Sequence, residues 1–158
     1  MAFHSGTEYR NDDVSIGVPA REILLCLSLD ADIAHFVDHW ISQARQREDI
    51  YYFSLFWKQK CVGQILLHDM NVQTGEALVA YHLFERCYHN HGVGTKALHL
   101  LQQYAREETT LQVLTIITSL DNIPSQRLAQ KTGFVMIGAP REDPSQGMVF
   151  QWHIDRPF

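Results

Sequence analysis

Two glycines stand two positions apart in residues 89–96, which read HNHGVGTK and lie between a predicted strand and the clearest helical pattern in the chain. The free backbone amides at a helix start and the positive end of the helix dipole favour a bound anion. Gly92 and Gly94 let the backbone approach a pyrophosphate closely, and Thr95 adds a hydroxyl donor. The segment is therefore predicted to bind a phosphate group, although two close glycines are also typical of an ordinary tight turn.

Two other phosphate-binding loops compare less well with this segment. A Walker A loop needs Lys followed by Ser or Thr, whereas here Thr95 precedes Lys96. The dinucleotide pattern GxGxxA is matched by residues 92–97, and Asp121 stands where a ribose-binding acid would be sought. Only about 40 residues follow Thr118, too few to complete a doubly wound sheet, so NAD is the weaker interpretation.

The hydrophobic pattern predicts strands and helices that position this segment. Apolar residues at 93–106 recur with helical spacing, and residues 111–118 form a nearly continuous apolar strand. With a strand at 77–84 they make a strand-helix-strand unit, which places the glycines at the carboxyl end of the first strand. The other predicted elements are a strand at 23–27, a helix capped by Ser28 or Asp30 with an apolar stripe from Ile33 to Ala44, a hairpin of 50–57 and 62–68, a helix at 124–131, and strands at 134–137 and 148–154.

Length and composition indicate one globular domain. The chain has 158 residues, of which 46% are hydrophobic and 20% charged, so it can build one packed core. Residues 1–20 show no regular period and are predicted to be a loosely ordered lead-in, followed by one domain at 21–158. The sequence leaves open whether the chain is a monomer or a homodimer.

Charge, cysteines and apolar segments argue against several classes of function. The formal net charge is −5 without a basic stripe, which disfavours nucleic acid and tolerates a cationic amine as partner. The three widely spaced cysteines suggest neither a disulfide framework nor a zinc site. His35, Asp38 and His39 are close to an inverted zinc motif but are interpreted as polar residues that flank the apolar stripe of the first predicted helix. No signal-peptide or membrane-span pattern is seen, so a cytoplasmic protein without a membrane partner is expected.

Two segments resemble motifs of the GNAT superfamily of acetyl-CoA-dependent N-acetyltransferases. Residues 88–95 (YHNHGVGT) are similar to its pyrophosphate loop, and residues 122–134 (NIPSQRLAQKTGF) to its N-x-x-S motif that ends in GF. VGQI at residues 62–65 also resembles the family, and the resemblance covers about residues 21–154. The run SQRLAQKTGF is most similar to the ribosomal-protein and alanine N-terminal acetyltransferase branch. The resemblance implies an α/β fold with a central, mostly antiparallel mixed sheet, a splayed parallel strand pair and flanking helices.

The resemblance also implies acetyl-CoA as cosubstrate, with no metal ion. Its pantetheine arm is expected along Leu83, Phe84 and Glu85, with Asn122 facing it, and the oxyanion donor is expected to be a backbone amide near Phe84. Position 89 carries His where Gln or Arg is usual, but an imidazole can still donate a hydrogen bond. The pyrophosphate is expected on His89, Asn90, His91, Gly92, Val93, Gly94 and Thr95.

The resemblance assigns the proton transfers less completely. The family's usual acid, a Tyr, is replaced by Ala129, and the branch resembled here implies Ser125 as the proton donor. The usual Glu base is replaced by Leu78. Glu76 and His82 share a predicted strand face, so either is expected to accept a proton directly or through water.

A weak base bears on the choice of acceptor. An α-amine, with a pKa near 8, is partly neutral at pH 7, whereas a lysine side chain, near 10.4, is harder to deprotonate. An N-terminal α-amine, on a peptide, or a small-molecule amine is therefore the expected acceptor. Because Leu78 and Ala129 replace the usual base and acid, a module that binds acyl-CoA without turnover stays open as the alternative.

Overall fold

The computed structural model describes residues 8–17, 31–140 and 147–155, and the strands in these ranges form one mixed sheet. The strands are β1 (Glu8–Asn11), β2 (Val14–Gly17), β3 (Tyr51–Trp57), β4 (Lys60–Asn71), β5 (Glu76–Leu83), β6 (Val113–Thr118), β7 (Val135–Gly138) and β8 (Met148–His153). Their order in the sheet is β1-β2-β3-β4-β5-β6-β8-β7. Among the described strands only β5 and β6 pair in parallel, so the expected mostly antiparallel sheet with one parallel pair is confirmed.

Three α-helices flank the sheet in the described ranges: α1 (Ala31–Gln46), α2 (Val93–Glu108) and α3 (Ile123–Lys131). A short 3-10 turn, Arg86–Tyr88, precedes α2. The helices predicted at 93–106 and 124–131 are confirmed to within two residues at each end. None of the described helices is long and apolar enough to cross a bilayer.

The predicted strand at 23–27 and the predicted caps Ser28 and Asp30 lie outside the described residues. The predicted hairpin of 50–57 and 62–68 is confirmed as β3 and β4, although β4 runs on to Asn71. Its alternating side chains are buried on both faces, because helices cover the sheet on both sides.

α1 and α2 cover opposite faces of the sheet at β5. Ala77 and Val79 belong to the large buried cluster under α2, together with Leu101 of that helix. Ala80 packs on the smaller cluster of the other face, which includes Ala44 of α1. Successive side chains of a strand point to opposite faces, so odd-numbered residues of β5 face α2 and even-numbered ones face α1.

The prediction of a loosely ordered lead-in is wrong for residues 8–17, which form the antiparallel hairpin of β1 and β2. Val14 and Ile16 are 1% and 0% exposed and belong to the main core. The strands have four residues each, too few to show a clear two-residue period in the sequence. β2 is held by pairing with β3, some forty positions further along the chain, which no local pattern reveals.

The parallel pair separates after a short contact. β5 and β6 pair from Glu76 with Val113 to Leu78 with Thr115, and residues 79–83 of β5 have no partner in β6. On its other side β5 stays paired with β4 as far as Leu83. The sheet is therefore open between the second half of β5 and the end of β6.

Candidate active site

A cavity of about 900 Å3 lies in the gap between β5 and β6 and opens to solvent. It is lined by residues 78–83 of β5, residues 116–119 at the end of β6, and the starts of α2 and α3. The carboxyl ends of two parallel strands and two helix N-termini therefore meet at one place, as expected for a right-handed strand-helix-strand crossover.

The backbone of β5 presents free polar groups to this gap. The Phe84 amide donates to Val62 O of β4 over 2.9 Å, whereas Gly75 O accepts from Val113 N of β6 over 3.0 Å. Alternate residues of a strand bond to opposite neighbours, so the amides of residues 79, 81 and 83 face the gap. The Phe84 amide is therefore not available as an oxyanion donor, and the amide facing the gap nearest to it is that of Leu83.

The start of α2 supplies a second set of free amides. Gly92 is the N-cap with φ +75°, and the first intrahelical bond runs from Lys96 N to Gly92 O over 3.0 Å. The amides of Val93, Gly94 and Thr95 consequently have no acceptor within the helix. All three residues line the cavity, so these amides lie where an anion could accept from them, and pyrophosphate binding here stays a prediction.

Ser125 lies in the first turn of α3 and is fixed by two hydrogen bonds. Its backbone amide donates to the N-cap residue, Asn122 Oδ1, over 3.3 Å. Its Oγ accepts from Tyr81 Oη of β5 over 2.8 Å. All three residues line the cavity. No local pattern in the sequence marks Tyr81, because its bond to Ser125 spans 44 positions of the chain.

His82 lines the cavity from the other face of β5, since it follows Tyr81 in the strand. Burial, and then the nearby His89, lowers the pKa of His82 below its ordinary value. The imidazole is therefore neutral at neutral pH and can accept a proton. A hydroxyl donor and a neutral imidazole thus flank the gap from opposite faces.

Residues 25–135, more than half of the chain, match the family model described as an acetyltransferase (GNAT) domain. The chain belongs to the GNAT acetyltransferase family. The resemblance seen in residues 88–95 and 122–134 is thereby confirmed. No curated protein matches this sequence closely enough to count as a relative.

Three solved structures with the same fold illustrate the GNAT match. The microcin C7 self-immunity acetyltransferase MccE, in complex with acetyl-CoA and AMP, is 16% identical with a TM-score of 0.71, over 91% of this chain and 94% of that one. A putative ribosomal-protein-serine acetyltransferase from Vibrio cholerae is 19% identical with a TM-score of 0.74, over 94% and 98%. The ribosomal L7/L12 α-N-protein acetyltransferase RimL, in complex with coenzyme A, is 17% identical with a TM-score of 0.70, over 92% and 96%. At these identities the likeness shows the shared fold.

The structure brings most of the predicted loop residues of this GNAT domain to the cavity, but not all. His89 and Asn90 line it together with the start of α2. His91 does not, because its ring packs against Trp57 with the centroids 4.9 Å apart. Gly94 lies beside Leu128 of α3, and a Cβ there would make only an ordinary van der Waals contact at 3.4 Å.

Of the three residues predicted along the pantetheine arm, only Leu83 lines the cavity. Phe84 is 4% exposed and packs in a small cluster with Val37 of α1. Glu85 points elsewhere and accepts a hydrogen bond from the Cys87 thiol over 3.4 Å. The side chains of Phe84 and Glu85 thus lie outside the cavity lining, because the strand runs into the 3-10 turn after Leu83. That the pantetheine arm lies along this end of the strand stays a prediction.

Glu76 shares a strand face with His82, as predicted, but the two do not meet. Glu76 lies where β5 and β6 are still paired, and its carboxylate accepts from Thr115 Oγ1 over 2.9 Å. Six positions of strand separate it from His82, which is about 20 Å at 3.3 Å per residue. The described cavity lining includes His82 and not Glu76.

Two cations at the GNAT cavity were not predicted. Arg127 and Lys131 of α3 both line it and are exposed, so they can meet a phosphate at its mouth. They are four positions apart and therefore lie on one face of the helix. This spacing can be seen in the sequence and could have indicated both residues. Lys96, by contrast, is paired with Asp12 and Asp13 at 3.3 and 3.5 Å. In the described part of the chain, no group of three His, Cys, Asp or Glu side chains is placed to hold a metal ion.

Proposed function

We propose that this chain is an acetyl-CoA-dependent N-acetyltransferase, which transfers acetyl to a primary amine by direct attack. The observation that carries the proposal is the open gap in the sheet, with the Ser125 hydroxyl on one face and the neutral imidazole of His82 on the other. Membership in the GNAT family and the acetyl-CoA and coenzyme A complexes of two similar folds support it.

The cavity fits the cosubstrate part by part. The free amides of Val93, Gly94 and Thr95 would hold the pyrophosphate, and Arg127 and Lys131 add positive charge nearby. The amides of residues 79, 81 and 83 would pair with the amide groups of the pantetheine arm, as an added strand would. Asn122 stands at the same wall, although its Oδ1 also caps α3.

The residues around the gap divide the proton transfers between its two faces. His82 accepts the proton of the attacking amine as the new carbon–nitrogen bond forms. A β5 amide, with Leu83 the candidate nearest the strand end, donates to the carbonyl oxygen as it gains charge. Ser125 donates its hydroxyl proton to the sulfur as the carbon–sulfur bond breaks. Solvent water then passes the proton held by His82 to Ser125, so that both groups return to their starting states. Glu76 is too distant for direct transfer and would act only through a water chain.

The acceptor proposed is an N-terminal α-amine or a small-molecule amine. The base is an imidazole with a lowered pKa, which deprotonates an α-amine near pKa 8 more readily than a lysine near 10.4. RimL, one of the proteins with the same fold, is named as an α-N-protein acetyltransferase, which supports the first class.

Calorimetry with acetyl-CoA followed by a free-thiol assay tests the proposal. The assay uses a panel of N-terminal peptides, small amines and a peptide whose only free amine is a lysine. Binding together with thiol release for an α-amine or small amine is expected. Binding without release across the panel would favour the non-catalytic acyl-CoA module, and absence of binding would refute the cosubstrate itself.

A further inference from the structure

A hydrogen bond joins strand β5 to helix α3 across the cavity. Tyr81 Oη donates to Ser125 Oγ over 2.8 Å, and both residues line the cavity. Both are half-buried, so the bond is partly shielded from water. In such surroundings a hydrogen bond is electrostatically stronger than in bulk water, and it holds its partners more firmly.

The phenol of Tyr81 is protonated at neutral pH and acts as the hydrogen-bond donor in this pair. Burial raises the pKa of Tyr81, and the bond to Ser125 lowers it by a smaller amount. The ring packs against the main core under α2, which restricts the direction in which the hydroxyl can point. Tyr81 therefore keeps its proton at neutral pH and can donate it to Ser125 Oγ.

This arrangement leaves the hydrogen of the Ser125 hydroxyl available. The backbone amide of Ser125 is taken by Asn122, and its Oγ accepts from Tyr81. Within residues 8–17, 31–140 and 147–155, Ser125 Oγ is not the donor of any hydrogen bond. A serine in a first helical turn often bonds to nearby backbone instead, so the bond to Tyr81 directs this hydroxyl toward the cavity.

We propose that Tyr81 is a positioning residue for the acetyl transfer: it orients the Ser125 hydroxyl hydrogen into the cavity and stabilises the charge that develops on Ser125 Oγ as that hydrogen leaves. The inference rests on the proposed function, because it gives Tyr81 a role only through the proton donor Ser125. Tyr81 keeps its own proton, so the bonds that form and break are those of the transfer step already described.

The variant Tyr81→Phe removes the hydroxyl and keeps the ring. We expect kcat for the best amine of the panel to fall about tenfold, as for loss of a hydrogen bond to a developing charge. The Kd for acetyl-CoA and the melting temperature should stay close to those of the wild type, because the ring packing remains. Tyr9→Phe is the matched control: its phenol bonds to Glu108 over 3.3 Å, outside the cavity lining, and its loss should leave kcat unchanged.

A double-mutant cycle tests whether Tyr81 acts through Ser125. In the Ser125→Ala background, Tyr81→Phe should cause no further loss of kcat. An equal tenfold loss in both backgrounds would overturn the proposal, as would a Tyr81→Phe enzyme with the kcat of the wild type. Absence of thiol release by the wild type would refute the proposed function as well, so the two failures are distinguishable.

A ring-fluorinated tyrosine at position 81 serves as the conservative rescue. It has nearly the shape of tyrosine and a more acidic, stronger donating hydroxyl. We expect it to restore the kcat lost in Tyr81→Phe when assayed below the pKa of its phenol. If it behaves like Phe, the hydroxyl of Tyr81 is not what the reaction uses, and the proposal fails.

Discussion

At the scale of single residues, the proposed acid and the proposed base lie on opposite faces of one strand. Tyr81 and His82 are neighbours in β5, and the alternation of side chains sends them to opposite sides of the gap. Ser125 is brought to the Tyr81 side by the N-cap of α3. An amine that approaches from the His82 face would therefore attack the thioester carbon from the side opposite to Ser125. Ser125, the proposed proton donor, would then lie on the side of the departing sulfur.

Ser125→Ala removes the proposed proton donor without disturbing the cap of α3, since Asn122 bonds to its backbone amide. We expect kcat to fall about a hundredfold, at the low end of general acid catalysis, with the Kd for acetyl-CoA unchanged. Steady-state kinetics and calorimetry measure the two quantities. Ser42→Ala on α1, where the hydroxyl bonds only to Gln46 in the described chain, is the control. Full activity of Ser125→Ala would remove Ser125 from the mechanism.

His82 should set the acidic limb of the pH–kcat profile. Its imidazole accepts a proton only when neutral, and its pKa is lowered by burial and by His89, so kcat should stay level from pH 7 to below the ordinary histidine pKa of 6.5 and fall at lower pH. His82→Gln should lower kcat about a hundredfold and abolish that limb. His99→Gln on α2, which is exposed and outside the described cavity lining, should keep it. A limb that survives in His82→Gln would point to water or another base.

At the scale of elements, β5 is hydrogen-bonded to β4 along one edge, whereas residues 79–83 have no partner in β6 along the other edge. It pairs with β4 from Leu78 to Leu83, and the bond from Phe84 N to Val62 O sets the register. In that register the amides of the even-numbered residues of this stretch point to β4. The odd-numbered amides are left for the gap. Gly63 of β4 makes this close pairing possible, because a Cβ there would lie 2.3 Å from the carbonyl oxygen of His82.

Gly63→Ala should therefore damage both stability and activity. The clash is with backbone, which cannot turn away as a side chain would, so we expect a loss of about 3 kcal/mol in the free energy of unfolding. Gly92→Ala is the matched control, since a Cβ there meets nothing within 4 Å and costs only about 1–2 kcal/mol for its left-handed φ of +75°. Urea denaturation compares the two. An equal or smaller loss for Gly63→Ala would contradict the close approach of β4 and β5.

At the scale of the whole molecule, the hairpin of β1 and β2 extends the sheet and supports α2, whose start lines the cavity. Val14 and Ile16 lie in the core under α2. The turn of the hairpin carries Asp12 and Asp13, which pair with Lys96 in the first turns of that helix. These ion pairs are largely exposed and contribute little stability, so the apolar contacts hold the hairpin in place.

Ile16→Ala tests whether residues 8–17 are part of the cooperative core. Ile16 is 0% exposed, and we expect its truncation to lower the free energy of unfolding by about 2–5 kcal/mol. Val72→Ala, at a residue 86% exposed, should stay within about 0.5 kcal/mol of the wild type. Both are measured by urea denaturation. A neutral Ile16→Ala would mean that the hairpin frays independently of the rest.

The sequence by itself determined the elements whose signals are local. The apolar stripe of α2, the cap and proline at the start of α3, and the glycine segment before α2 all depend on residues within one or two turns of each other. For that reason the pattern predicts the starts of α2 and α3, and the structure confirms both. Ser125 lies in the first turn of α3, and its role as proton donor stays a proposal. The two motifs at residues 88–95 and 122–134 were also enough to indicate the GNAT family, because their residues and their order can be seen in the sequence alone.

Only the tertiary structure decided which groups meet in the gap. Tyr81 reaches Ser125 across 44 positions, Glu76 is kept at the closed end of the strand pair, and His91 turns to Trp57. The amide direction of Phe84 depends on its register with Val62. Each of these outcomes depends on pairing between distant strands and on where β5 and β6 part, and such contacts leave no periodic trace in the sequence because their partners lie far apart along the chain.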